Sequence, residues 1–198
     1  MTHDERYPSG TIRDILDTDL VTAATAKALR ARLVAPKGSG VFNVAQRRTL
    51  AAICDRLIPQ SGHQKPIDLA AIVENRLAVG IGDGWRYADM PDDVTALGSG
   101  LAAIDAIARR GFGAGFIDLD NMARDGLLKS VQHGDVPADL WADLDSKRFF
   151  ETLLVAVTEA DYAHPLAQEE IGYLGMADAR GWSAVGLGAR APHEPDPL

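Results

Sequence analysis

The sequence predicts an all-α fold of about seven helices in an irregular bundle, with long loops and an extended C-terminal arm. Three observations predict it. Apolar residues recur at helical spacings of three and four, as in Leu97, Leu101, Ile104 and Ala108. Period-2 alternation and Asn-Gly hairpin signals are almost absent. Cap residues and breakers bracket the periodic runs, among them Pro59 and Gly134. The chain has 198 residues, and at that length one core buries roughly 70% of the unfolded surface. No repeat and no linker divides it. A single helical domain over residues 1–198 is expected, with residues 1–10 flexible or draped on the surface and residues 176–198 forming the arm.

Taken in order, Thr11 to Val34 holds two helical pieces, the second opened by Thr18 as N-cap with Asp19 in the first turn. Pro36-Lys37-Gly38-Ser39-Gly40 is a breaker. Asn43 caps a helix over Val44 to Ile58 that Pro59 stops, and Pro66-Ile67-Asp68 starts one carrying Leu69, Ile72, Val73 and Leu77. A glycine-containing loop with Trp85 and Tyr87 runs from Gly80 to Pro91. Asp92-Asp93 then opens a helix through Val94 and Ala108 that Gly111 closes, after which Phe112 and Phe116 anchor the connection to the core. Asp118 or Asp120 caps a helix bearing Met122, Leu127, Leu128 and Val131, ended by Gly134. Pro137 to Trp141 is a turn or short helix, and Ser146 caps the most apolar helix, with Phe149, Phe150, Leu153, Leu154 and Val157. Pro165 ends that run, because proline lacks the donor and disfavours the α region at the residue before it.

Composition narrows the function. A net charge of −8 argues against nucleic acid, whose phosphates need a basic face. No stretch approaches 18 apolar residues, so no membrane-spanning helix is expected. The single cysteine, Cys54, excludes an internal disulfide and shares a face with Leu50, Leu57 and Ile58, as a small buried hydrophobe does; a cross-link to a partner or a reactive thiol is the alternative. The polar N-terminus lacks a signal pattern, which points to the cytoplasm. Export on a signal-bearing partner, or removal of a signal, would place the chain in the periplasm instead. Residues 21–60 carry seven basic side chains against Asp55 alone, a net +6 that leaves −14 for the rest. Solvated helix faces account for this, or a basic patch that steers an acidic partner.

Motifs for chemistry are sparse. Gly111-Phe112-Gly113-Ala114-Gly115 follows a helix, where a dinucleotide fingerprint follows a strand. Walker sequences, His-Glu-x-x-His and paired cysteines do not occur. The densest cluster of contact-making groups is Asp161-Tyr162-Ala163-His164-Pro165, continued by Glu169-Glu170-Ile171-Gly172-Tyr173. His164 with Asp161, Glu169 and Glu170 has ligand types suited to a metal, or to acid and base work. The plainer reading is that His164 and the glutamates hold an irregular segment by hydrogen bonds to exposed helix ends, or make polar contacts at an interface.

Landmarks stand in order along the chain: Thr49 to Pro59, Asp83-Gly84-Trp85-Arg86, Gly111 with Phe112 or Phe116, Leu127-Leu128, Phe149-Phe150, Tyr162-Ala163-His164-Pro165, Glu169-x-Ile171-Gly172-Tyr173 and Gly181-Trp182. Together they cover roughly residues 40–185, and in that order they resemble those of the gluconate 2-dehydrogenase subunit 3 family. The twin-arginine signal and the glycine-glycine-asparagine segment of many relatives are absent; here Leu166-Ala167-Gln168-Glu169-Glu170 follows the proline.

The resemblance implies an all-α small, or gamma, subunit without catalytic, cofactor-binding or metal residues of its own. Its partner would be a large flavoprotein of the glucose–methanol–choline oxidoreductase class that holds FAD and oxidises a sugar or glycoside. A cytochrome c electron acceptor would be a further partner. The small subunit would support folding, stability or export of the large one. Aromatic and arginine anchors suit such a surface. They place the interface at Asp83, Trp85 and Arg86, at Tyr162, His164, Pro165, Glu169, Glu170 and Tyr173, and at Trp182. Two rivals stand beside this: an enzyme centred on His164 and its carboxylates, and a helical interaction module with another partner.

Overall fold

The structure, a computed structural model, describes residues 6–60, 67–80, 87–141, 144–176, 178, 181 and 184–198. Asp83, Trp85, Arg86 and Trp182, with most of the loop between Gly80 and Pro91, lie outside the described residues. The all-α expectation holds: eight α-helices and two 3-10 turns are present, and no strand, among the described residues. The helices are α1 (Thr11–Ile15), α2 (Ala23–Leu33), α3 (Val44–Leu57), α4 (Leu69–Ala78), α5 (Asp93–Phe112), α6 (Asn121–His133), α7 (Ser146–Tyr162) and α8 (Pro165–Glu170). The chain divides into two compact units. The first holds Met1–Ala35, Ser61–Ile67 and Ala160–Leu198, and the second Pro36–Gln60 and Asp68–Glu159.

In the second unit α3 touches α4, α5 and α6. Its start is a capping box: Gln46 N donates to Asn43 Oδ1 at 2.9 Å, and Asn43 N to Gln46 Oε1 at 3.0 Å. The buried side of α3 is Thr49, Leu50, Ile53 and Cys54. Burial first, then the charges of Asp55 and Asp68, push the Cys54 thiol up to about 12, so it behaves as a hydrophobe. Arg56 forks onto Asp125 of α6 at 2.7 and 2.8 Å. Arg47 lies beside Glu74, and in the first unit Arg30 meets Asp17. Three cations of the basic 21–60 stretch are therefore met by acids of this chain.

Several sequence expectations shift by a few residues, each for a local reason. Thr22 caps α2 rather than Thr18, whose hydroxyl donates to Ile15 O at 2.8 Å and closes the turn after α1. Asp145 caps α7 rather than Ser146: its Oδ1 accepts from Lys147 N and Arg148 N, leaving Ser146 as the first helical residue. α5 runs one residue past Gly111, to Phe112, and Gly113 caps it with a φ of 71°, the left-handed conformation of a helix stop. Phe112 thereby stays on the helix, 55% exposed, and Phe116 alone enters the core, its N–H donating to Asp105 Oδ1. Met122, in the first turn of α6, is 83% exposed, whereas Leu127, Leu128 and Val131 are buried as expected.

Phe149, Leu153 and Val157 of α7 are fully buried. Trp141 meets Phe149 edge-on at 5.3 Å between ring centroids. Gly100 of α5 also lies against Phe149, where an added Cβ would come within 2.1 Å of the ring. Helix propensity favours alanine over glycine by up to about 1 kcal/mol. Overpacking a core costs about 1–3 kcal/mol, and here the obstacle is a rigid ring. Gly100→Ala is therefore expected to lower stability, by denaturant unfolding, although it improves the local helix former.

Candidate functional site

The contact-rich stretch lies in the first unit, where α7 ends at Tyr162 and α8 begins at Pro165. Residues 165–170 were expected to be irregular but form a helix. Proline at the first helical position has a preset φ and needs no partner for a missing N–H. His164 is the N-cap: its Nδ1 accepts from Leu166 N at 3.2 Å, which leaves Nε2–H to bond the Arg32 main chain. The ring is buried. Burial pushes its pKa below the usual histidine range, and the Arg32 charge adds to this; the hydrogen bond to the Arg32 main chain and the charge of Glu169 oppose it.

Glu169 has the most demanding environment. It is 4% exposed, yet every oxygen is answered. Oε2 accepts from Gly10 N at 3.0 Å and Arg13 NH2 at 2.9 Å; Oε1 accepts from Arg13 N at 3.2 Å and Arg13 Nε at 3.1 Å. The carboxylate thus caps the N-terminus of α1, whose own N-cap, Gly10, has no side chain. A forked guanidinium on the same two oxygens supplies the countercharge. The hydrogen bond to Glu169 is also the main reason the Arg13 pKa lies above its ordinary value.

The sequence-predicted site residues therefore part into two groups. His164, Pro165 and Glu169 are buried within the unit and support its surface. Tyr162, Glu170 and Tyr173 are exposed, with Ile171 beside them; the apolar three are 52% (Tyr162), 47% (Ile171) and 43% (Tyr173) exposed. Gln168 ties the two tyrosines together. Its Nε2 donates to Tyr162 O at 3.1 Å, and its main-chain carbonyl accepts from Tyr173 N at 2.8 Å. Sequence reasoning passed over Gln168 and Arg13, whose partners lie six and 156 positions away. It also passed over Glu74, wholly buried in the second unit. Among the described residues no group of three or more His, Cys, Asp and Glu is arranged to hold a metal ion.

The family model for gluconate 2-dehydrogenase subunit 3 matches residues 44–186, well over half of the chain. The chain belongs to the gluconate 2-dehydrogenase subunit 3 family. No curated protein and no solved structure matches it. As a member of the gluconate 2-dehydrogenase subunit 3 family it is a subunit of a multi-subunit dehydrogenase complex. No helix among the described residues is long and apolar enough to cross a membrane. The matched stretch opens on Val44, the first residue of α3, and includes α8; α1 and α2 precede it.

Two outcomes test this geometry. Glu169→Gln turns an amide NH2 toward an N–H that now meets oxygen. It should cost about 1–3 kcal/mol in denaturant unfolding, toward the lower end because Arg13 is 38% exposed and can turn to water. His164 gives a pH signature. Its folded-state pKa lies below the ordinary 6.5, so unfolding takes up a proton between the two values. The stability it contributes is fully present above about pH 6.5 and falls as the pH drops through the folded-state value. His164→Asn keeps an N-cap and removes the titration, so thermal unfolding of that variant should show a smaller loss between neutral and mildly acidic pH.

Proposed function

We propose that this chain is the non-catalytic small subunit of an FAD-dependent dehydrogenase acting on sugars or glycosides, and that it supports folding and stability of the FAD-bearing large subunit. Family membership over residues 44–186 carries the reading. On it, the large subunit is a flavoprotein of the glucose–methanol–choline class that holds FAD and performs the oxidation, with a cytochrome c as electron acceptor. The chain works in the cytoplasm, or in the periplasm if it is exported with its partner.

The site supports the same reading through how its polar groups are used. His164 and Glu169 are engaged in holding helix ends together, while Tyr162, Glu170, Ile171 and Tyr173 turn outward. Tyrosine offers a large, stiff contact face with a polar tip, which is why it anchors protein interfaces. Interfaces of permanent complexes bury on the order of 2,000 Å² or more. Asp83, Trp85, Arg86 and Trp182 are further partner contacts on this reading.

Co-expression with the flavoprotein encoded beside this chain tests the proposal. Soluble, FAD-loaded flavoprotein should be recovered in complex with this chain and should fall sharply when the chain is omitted. Tyr162→Ala and Tyr173→Ala should weaken the complex about tenfold or more each while leaving the melting temperature of the isolated chain nearly unchanged. A flavoprotein that folds and loads FAD equally well alone would end the proposal.

A further inference from the structure

The segment from Arg6 to Arg13 precedes the family-matched stretch and is tied down at three points. Its start is joined to the end of the chain, with Leu198 N donating to Arg6 O at 2.9 Å. Its end is clamped by Glu169 through Gly10 N and the Arg13 main chain and guanidinium. Between these, the ring of Tyr7 lies against Gly172. A Cβ at Gly172 would come within 2.7 Å of Tyr7 Cδ1 and Cε1, and the φ of 67° at this residue is itself one that glycine adopts freely. Gly172 stands between Ile171 and Tyr173, two of the three exposed apolar side chains of the site. The half-buried Tyr7 ring therefore lies against the main chain between them, with the Arg6 guanidinium 5.8 Å from its centroid.

We propose that this N-terminal strap is a specificity element of the docking surface, and that Tyr7, seated on Gly172, contacts the flavoprotein subunit directly. The inference rests on the function proposed above. It adds that part of the recognition comes from residues outside the family-matched stretch, so that the strap selects this chain's own partner. The occupant is that subunit because the chain is built into a dehydrogenase complex, and because Tyr7 seats on the main chain between Ile171 and Tyr173, two of the exposed side chains of the face proposed to meet it. The clamp matters to binding as well as to folding. A tyrosine already held in place loses little conformational freedom on docking, which favours affinity. Glu169, Arg13 and Gly172 act as positioning residues in this scheme; Tyr7 makes the contact.

The test uses the full chain co-expressed with the flavoprotein encoded beside it, and affinity measured on the re-mixed subunits. Tyr7→Ala should weaken binding at least about tenfold, with the thermal unfolding of the isolated chain little changed. Tyr7→Phe keeps the ring and should bind nearly as the parent does. Gly172→Ala pushes the ring away and also strains a backbone of positive φ, so it should weaken binding clearly more in the parent than in a Tyr7→Ala background; the difference between the two is the part that runs through the Tyr7 contact. Parent-like affinity in Tyr7→Ala overturns the strap proposal and leaves the small-subunit reading standing. So does a loss that follows unfolding alone, or binding in which the strap meets only a second copy of this chain. Failure of the parent to bind any flavoprotein overturns both.

Discussion

The buried carboxylate of Glu169 is the constraint on which the first unit turns. α1 has five residues and α8 six, both far below the length at which a helix is stable alone in water. Each is held by something outside itself. α8 borrows its N-cap from the imidazole of His164, and α1 borrows its cap from α8, through Glu169. Four donors converge on that carboxylate, two of them main-chain amides at a helix start, where the macrodipole also favours negative charge. A buried charge without such partners would be prohibitively costly. The order of the unit thus runs from the end of α7, through His164 and α8, to Glu169 and back to the N-terminal strap.

The second unit uses the same device in another setting. Glu74 of α4 is wholly buried, and its Oε1 accepts from Gly40 N at 3.1 Å and Phe42 N at 3.3 Å. Ser39 Oγ donates to the Glu74 carbonyl, and Arg47 approaches Oε2 at 3.5 Å. In both units one glutamate gathers the amides of a glycine-containing segment and one arginine balances its charge. The balance differs. Arg13 forks onto Glu169 with two hydrogen bonds, whereas Oε2 of Glu74 has an ion pair without one. On the loop over Glu74, a Cβ at Gly38 would meet only the Arg47 guanidinium, the movable tip of a part-exposed side chain.

What the sequence made legible follows from the range of the forces involved. Helix interiors were plain from 3.6-residue periodicity, the caps at Asn43 and Asp120 from side chains acting three positions on, and the stop at Gly134 from glycine's freedom at positive φ. The errors arose where a local signal competed with a distant one. Thr18 has the chemistry of an N-cap but closes the turn behind it, and Thr22 does the capping. Phe112 has the bulk of a core residue, but Phe116 takes the buried place because Asp105 holds its amide. At the site, the stretch was recognisable as important from its density of tyrosines, glutamates and glycines. Its division into a buried scaffold and an exposed face was not, since the partners of Glu169 lie 156 and more positions away.

This division bears on how a small subunit of the proposed kind would work. A surface that meets a large partner gains most when its anchors are fixed beforehand, because ordering them on contact consumes part of the interaction energy. Short helices and an N-terminal strap are poor material for such a surface unless something internal immobilises them. The polar cluster that reads in sequence as a possible reaction centre provides that immobilisation. His164 and Glu169 use their hydrogen-bonding capacity inward, and the result is a firm ledge on which Tyr162, Ile171 and Tyr173 face outward. On the proposed reading, strong polar chemistry at this place serves recognition, and the redox chemistry belongs to the partner that the ledge receives.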